Sequence, residues 1–118
     1  MKLASGFARV ADLLAAGVNV AIGTDSCASN NCLDMFSEMK VAANMAKAVS
    51  DDPTAVPAPT ALKMATLNGA KAMGLDHQVG SLVPGKRADI IAVKLSSIEH
   101  RPVYDILSHL VYVGSRER

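Results

Sequence analysis

The fold depends above all on one stretch, residues 18–25, which has the sequence VNVAIGTD. Its β-branched residues alternate with small ones as far as Gly23, a pattern that predicts a short buried strand of the parallel type. The strand runs directly into Thr24-Asp25-Ser26, so an acid lies at its C-terminal end. A parallel strand needs neighbours on both edges and helices on both faces, which places the chain in the α/β class.

One helix is predicted before this strand and another after it. Ser5 should cap the first, and Gly17 should end it. Asn31 should cap the second, with Asp34 placed favourably against the N-terminal dipole. The second helix is amphipathic, with one face made by Met35, Met39, Ala42, Ala46 and Val49 and the other by Ser37, Lys40, Asn44 and Lys47.

A third helical stretch, Thr60 to Met73, is predicted to split at Asn68-Gly69, because both residues disfavour helix interiors. After residue 79 the character of the chain changes. Ala88–Val93 is predicted as a second buried strand, and a short helix is predicted from about Asp105. These strands are too few to complete a sheet, so we expect the chain to be a fragment of a longer polypeptide, called the parent below.

The composition excludes several classes of protein. With 118 residues, half of them hydrophobic, the chain is long enough for one compact unit at most. It has no Trp and few Phe or Tyr, so the core must consist of Ala, Val, Leu, Ile and Met. A formal net charge of +1 argues against nucleic-acid binding, and the apolar runs are too short for a membrane span. We predict a cytoplasmic protein.

Asp25 is the main candidate for chemistry. In (β/α)₈ barrels the C-terminal ends of the strands converge on the active site, and a carboxylate there can bind zinc or iron or accept a proton from a metal-bound water. The alternative is an Asx-turn, in which Asp25 only bonds the backbone of the following loop. Local physics alone favours the Asx-turn, because aspartates in turns are common.

The histidines and cysteines do not complete a metal site. The histidines are His77, His100 and His109, and they form no His-x-His pair. None lies near Asp25 in sequence, so we interpret them as surface or structural residues. Cys27 and Cys32 would close only a very small disulfide loop, so we expect them to be reduced and semi-buried.

Two further patterns are interpreted as having no catalytic role. Residues 80–86, GSLVPGK, match the start of a phosphate-binding loop, but Arg87 stands where Ser or Thr should hold magnesium. A strand also follows this loop where a helix is required, so we reject nucleotide binding there. Glu38, with Lys40 and Lys47, is interpreted as an ordinary solvated helix face.

Three segments in this order resemble the amidohydrolase superfamily, in its branch of cytosine-deaminase-like, chlorohydrolase-like and adenosine-type deaminases. They are residues 18–36, which contain VNVAIGTD and ASNN, residues 65–74, ATLNGAKAMG, and residues 80–89, GSLVPGKRAD. Within that branch the chain is most similar to the deaminases of 5′-methylthioadenosine and S-adenosylhomocysteine. Ser26-Cys27 departs from the pattern, since small residues such as Gly-Ala are expected there.

The resemblance implies a metal-dependent hydrolase with a (β/α)₈ barrel and a small β-sandwich built from both chain ends. Residues 1–79 would hold the last barrel strand and helices, and residues 80–118 part of the sandwich. Asp25 would be the strand-eight aspartate that binds a single divalent metal, zinc or iron, and shuttles a proton. The other ligands, a His-x-His pair among them, would lie upstream, outside this chain.

The resemblance leaves three functional hypotheses. The first is a parent that deaminates a small adenosine-type nucleoside, and the second is the same fold with a different leaving group, as in triazine chlorohydrolases. The third is a catalytically inactive truncated chain, or an oligomer-forming remnant. We expect the isolated polypeptide to be inactive, to bind no stoichiometric metal, and to expose apolar faces that favour self-association.

Overall fold

A computed structural model describes residues 3–114 and contains five α-helices and one short 3₁₀ helix in that range. The α-helices are α1 (Val10–Ala15), α2 (Met35–Ser50), α3 (Ala58–Ala65), α4 (Leu67–Ala72) and α5 (Ile106–Tyr112), and the 3₁₀ helix is Ile98–His100. None of these helices is long and apolar enough to cross a membrane.

The core lies where α2, α3 and α5 pack against one another. Its buried residues are Met39, Ala43, Ala46, Val56, Ala58, Ala61, Met64 and Val111. Ala43 and Ala61 are fully buried, and such small side chains let helix axes approach closely. The expectation of an aliphatic, Met-containing core is confirmed, although α5, from the C-terminal part of the chain, joins the same core.

Helix α2 begins three residues later than predicted. Asp34, not Asn31, is the N-cap: its carboxylate accepts hydrogen bonds from the Phe36 amide at 3.1 Å and from the Ser37 hydroxyl at 2.7 Å. Asp34 is buried, and its carboxylate satisfies a free amide of the first turn and interacts favourably with the N-terminal helix dipole. The prediction that Asn31 caps this helix was wrong.

The other helix boundaries also differ from the prediction. Helix α1 starts at Val10 with Arg9 at its N-cap, so Ser5 does not cap it. The break in the third helical stretch falls at Thr66, whose hydroxyl donates to the Leu62 carbonyl at 2.7 Å. Asn68 lies inside α4, although it was predicted to break the helix. It donates to the Val20 carbonyl at 2.9 Å and so ties α4 to residues 18–23.

Neither predicted strand is paired within residues 3–114. Val20 and Ile22 rest against the core, and the Ile22 amide donates to the Met64 carbonyl at 3.0 Å, but the segment is not buried. Ile90 and Ile91 are 62% and 76% exposed. A strand forms only when another strand supplies its hydrogen-bond partners, and the described residues offer neither segment such a partner. Ile90 and Ile91 therefore form an exposed apolar surface in the described part of the chain.

Lys47 is half-buried, so the prediction that it lies on the solvated polar face of α2 was wrong. Its ammonium donates to the carbonyls of Ala55 and Val56, at 2.8 and 3.1 Å, and to the Tyr112 hydroxyl at 3.0 Å. Val56 is buried with a φ of 46°, a conformation that β-branched residues rarely adopt. Lys47 thus joins α2, the turn before α3 and the end of α5.

The turn after α2 predicts a pH effect on stability. Asp52 accepts hydrogen bonds from the Thr54 hydroxyl at 2.7 Å and the Thr54 amide at 2.8 Å, and these lower the pKa of Asp52 below 3.8. A carboxyl with a lowered pKa stabilises the fold above its unfolded pKa, and the effect disappears as the pH falls through the folded pKa. Urea unfolding from about pH 6 to about pH 2 should show a smaller acid loss in Asp52→Asn than in the wild type. Equal losses in the two proteins would contradict this role.

Candidate functional site

Asp25 lies at the edge of an open cavity of about 450 Å³, where residues 18–24 end. Its backbone has a φ of 58°, in the left-handed region, so the chain turns sharply and folds the next loop back beneath the carboxylate. The cavity is lined by Thr24, Asp25, Ser29, Asn30 and Glu38, with Leu3, Ser5, Gly23 and Val41 completing its wall. The carboxylate predicted to carry the chemistry therefore faces a cavity at the end of the predicted strand.

The carboxylate of Asp25 is exposed and held by the loop that follows it. The Ser29 hydroxyl donates to Asp25 Oδ2 at 2.6 Å. This bond, and a weaker one from the Ser26 amide, lower the pKa of Asp25 below 3.8. The group is thus an anion at neutral pH, the form that binds a cation or accepts a proton. Asp25 can therefore bond its own loop, as in an Asx-turn, and still line the cavity. Its role as a metal ligand stays a prediction.

Asn30 and Glu38 form a second polar pair at the cavity that the sequence analysis missed. Asn30 Nδ2 donates to the Thr24 carbonyl at 3.0 Å and to Glu38 Oε1 at 2.5 Å. Its Oδ1 accepts from the Cys32 amide at 3.2 Å. Glu38 is half-buried, not fully solvated, so interpreting it as an ordinary surface residue was wrong. Asn30 and Glu38 are eight residues apart in sequence, and the loop that follows Asp25 brings their side chains together.

The cysteines and histidines do not join the site. Cys27 and Cys32 are free, as predicted, but exposed and not semi-buried. His77 is exposed and bonds Gln78. His100 is 1% exposed and pairs with the Ser97 hydroxyl, while His109 Nε2 bonds the His100 carbonyl at 2.7 Å. The contacts of His100 and His109 lie in the C-terminal part of the chain, and the three histidines fit the predicted surface or structural roles.

A metal centre requires several side chains that converge on one point. No group of three His, Cys, Asp or Glu side chains between positions 3 and 114 could hold a metal ion. Asp25 fits as one ligand, since it is an exposed anion at a cavity, but a catalytic zinc needs about three protein ligands. The described part of the chain therefore contains no complete metal centre, and Asp25 stays a candidate for one of its ligands.

The loop resembling a phosphate-binding motif has a structural role. The Lys86 ammonium donates to the carbonyls of Asp76 and Val79, and to the Ser81 hydroxyl at 2.8 Å. A lysine bound in this way to its own loop is not presented to a phosphate. The contacts agree with the rejection of nucleotide binding at residues 80–86.

Comparison with known proteins confirms the resemblance. The chain matches the Amidohydrolase family over residues 1–117. A 5-methylthioadenosine/S-adenosylhomocysteine deaminase of Moorella thermoacetica is 54% identical over 114 residues, covering 97% of this chain and 27% of that protein. A 5′-deoxyadenosine deaminase of Methanosarcina acetivorans is 53% identical over 112 residues, covering 95% of this chain and 26% of that protein.

A solved structure gives the same result. The crystal structure of an adenosine deaminase from Xanthomonas campestris with bound zinc superposes with a TM-score of 0.92 at 54% identity, covering 94% of this chain and 25% of that one. This chain thus spans about a quarter of the length of the relatives it matches. The match over nearly all its residues shows that the chain belongs to the amidohydrolase family.

Proposed function

We propose that the parent polypeptide is a metal-dependent hydrolase that deaminates an adenosine-type nucleoside, such as 5′-methylthioadenosine or S-adenosylhomocysteine. The observation that carries this proposal is identity above 50% to deaminases of such nucleosides over nearly the whole chain. An exposed, ionised Asp25 on a cavity supports it from the structure. Residues 18–24 would form the last strand of a (β/α)₈ barrel once other parts of the parent supply its neighbours.

Asp25 would have two tasks in this reaction. Its carboxylate would provide one ligand to a divalent metal, and the zinc in the Xanthomonas campestris structure supports zinc. When bound, the metal would supply Lewis acidity for the attack of water on the ring carbon that bears the amine. Asp25 would accept a proton from the attacking water and pass it to the departing amine. Because the pKa of Asp25 is lowered, the carboxylate can take up this proton only if the charge around it changes during the reaction.

Several finer points belong to the same proposal. Residues 1–79 would complete the barrel, and residues 80–118 would contribute to a β-sandwich, where Ile90 and Ile91 would become covered. The expected partner is a small nucleoside-like molecule, with no nucleic acid and no membrane partner. A cytoplasmic location and a homo-oligomer stay predictions.

The leaving group separates the two catalytic hypotheses. We expect the purified, zinc-loaded parent to release ammonia from 5′-methylthioadenosine, S-adenosylhomocysteine or 5′-deoxyadenosine, measured by a coupled ammonia assay and by the purine absorbance change. A chlorinated triazine assayed for chloride is the matched control for the chlorohydrolase alternative. Chloride release without ammonia release would replace the deaminase proposal, and turnover of neither class would favour the inactive-chain hypothesis.

A further inference from the structure

We propose that Ser29 and Asn30 are positioning residues for Asp25, with Ser29 acting directly on the carboxylate and Asn30 holding the loop that carries Ser29. This inference rests on the proposed function, because it concerns the carboxylate assigned there to the metal and the proton. Neither residue is required to touch substrate. Their role would be to fix the orientation of a side chain that the sequence places at an exposed turn.

Ser29 is well placed to orient Asp25. Its hydroxyl lies 2.6 Å from Asp25 Oδ2 and 3.1 Å from the Ser26 carbonyl oxygen. The Ser29 and Asn30 amides both donate to that same carbonyl, at 3.2 and 2.9 Å, so the backbone beneath the hydroxyl is a closed turn. An exposed aspartate otherwise rotates freely, and a hydrogen bond to one oxygen selects one orientation of the carboxylate.

Asn30 fixes this turn to two other parts of the chain. One amide group joins the end of residues 18–24, through the Thr24 carbonyl, to helix α2, through the Glu38 carboxylate. The bond to Glu38 is charge-assisted and half-buried, which makes it stronger than an exposed neutral bond. Met39, the residue after Glu38, anchors α2 in the core. The loop that carries Ser29 is therefore fixed to the core through Asn30 and Glu38.

This arrangement has the form of an outer shell around a ligating carboxylate. Carboxylates that bind metals are themselves hydrogen-bonded, and loss of such outer partners typically costs about 10- to 100-fold in metal affinity or activity. A rigid hydrogen-bond partner on one carboxylate oxygen also fixes the direction of the second oxygen before substrate binds. Ser29 and Asn30 are the side chains that supply this support between Asp25 and Glu38.

The test uses the full-length parent and compares Ser29→Ala, Ser29→Thr and Ser37→Ala. We expect Ser29→Ala to lose about 10- to 100-fold in zinc affinity, measured by competition with a chromophoric chelator, and a similar factor in kcat with little change in KM. Ser29→Thr keeps the hydroxyl and should restore both to within about threefold. Ser37 donates to the Asp34 carboxylate at 2.7 Å, away from the cavity, so Ser37→Ala should change neither.

Asn30→Ala completes a double-mutant cycle. If Asn30 acts through Ser29, the double variant should lose no more zinc affinity than Ser29→Ala alone, whereas independent roles would give additive losses. Wild-type zinc affinity and kcat in Ser29→Ala, equal losses in the Ala and Thr variants, or additive losses in the cycle would each overturn the inference. Because zinc affinity is measured apart from turnover, absence of ammonia release from the wild type would count against the proposed function and leave this measurement valid.

Discussion

Asp25→Asn in the zinc-loaded parent is expected to lower kcat for ammonia release by about 10²- to 10⁴-fold, the range associated with loss of a positioned acid–base group. The substitution keeps the size of the side chain and its ability to accept the bond from Ser29. It removes the negative charge that the proposed metal and proton roles require. The measurement is the steady-state rate of ammonia release, together with the zinc content of the purified variant.

Asp52→Asn is the matched control for this variant. Asp52 is also an exposed aspartate whose pKa is lowered by a hydroxyl hydrogen bond, but it lies in the turn after α2 and does not line the cavity. We expect its kcat to equal that of the wild type. Equal activity of Asp25→Asn and Asp52→Asn would remove Asp25 from the mechanism.

Lys47→Met should lower the free energy of unfolding by about 2–4 kcal/mol, because partners of a charged donor are left unsatisfied in a half-buried site. The substitution preserves most of the aliphatic length but leaves the Ala55 and Val56 carbonyls and the Tyr112 hydroxyl without their common donor. It also frees a turn in which Val56 holds an unfavourable backbone conformation. Urea denaturation of the purified protein measures the effect.

Lys40→Met controls for the change of charge. Lys40 is exposed on the same helix, and a surface substitution there should change the free energy of unfolding by no more than about 0.5 kcal/mol. A similar small effect for Lys47→Met would show that its contacts contribute little to stability. A loss confined to Lys47→Met would support its role in joining α2, the turn and α5.

The helices were largely predictable from the sequence, but their ends were not. The periodicity of apolar residues located α2, and the helix predicted from Asp105 is confirmed as α5 with Asp105 as its cap. Asn31 and Asp34 are both good capping residues, so the sequence alone did not distinguish them, and the structure places the buried Asp34 at the cap. Asn68 illustrates the same point, since its contact with Val20 outweighs its weak helix propensity.

The predicted strands show what local pattern cannot determine. Residues 18–23 and 88–93 have the composition of buried strands, but a strand is defined by its partners. Within residues 3–114 these partners are absent, and residues 18–23 are held instead by contacts with α3 and α4, such as those of Ile22 with Met64 and of Val20 with Asn68. The alternation of residue types is visible in the sequence, but the pairing of these segments as strands would depend on other parts of the parent.

The candidate site was predictable only in part. The position of Asp25 after a strand-like segment made it the main candidate for chemistry. Local physics alone still favoured an Asx-turn there, and the metal role was implied only by the resemblance to the amidohydrolase superfamily. Ser29 and Glu38 were not predictable, because their proximity to Asp25 depends on the left-handed turn at that residue and on the bridging amide of Asn30. The available signal was the i to i+4 spacing of Asp25 and Ser29 in a loop of small and amide residues, which is weak alone.

The most direct test of the central claim is a crystal structure of the zinc-loaded parent. The proposal predicts a carboxylate oxygen of Asp25 at about 2.0–2.2 Å from the metal, the usual distance for aspartate ligands of zinc. A complete zinc coordination sphere from which the Asp25 carboxylate is absent would contradict it.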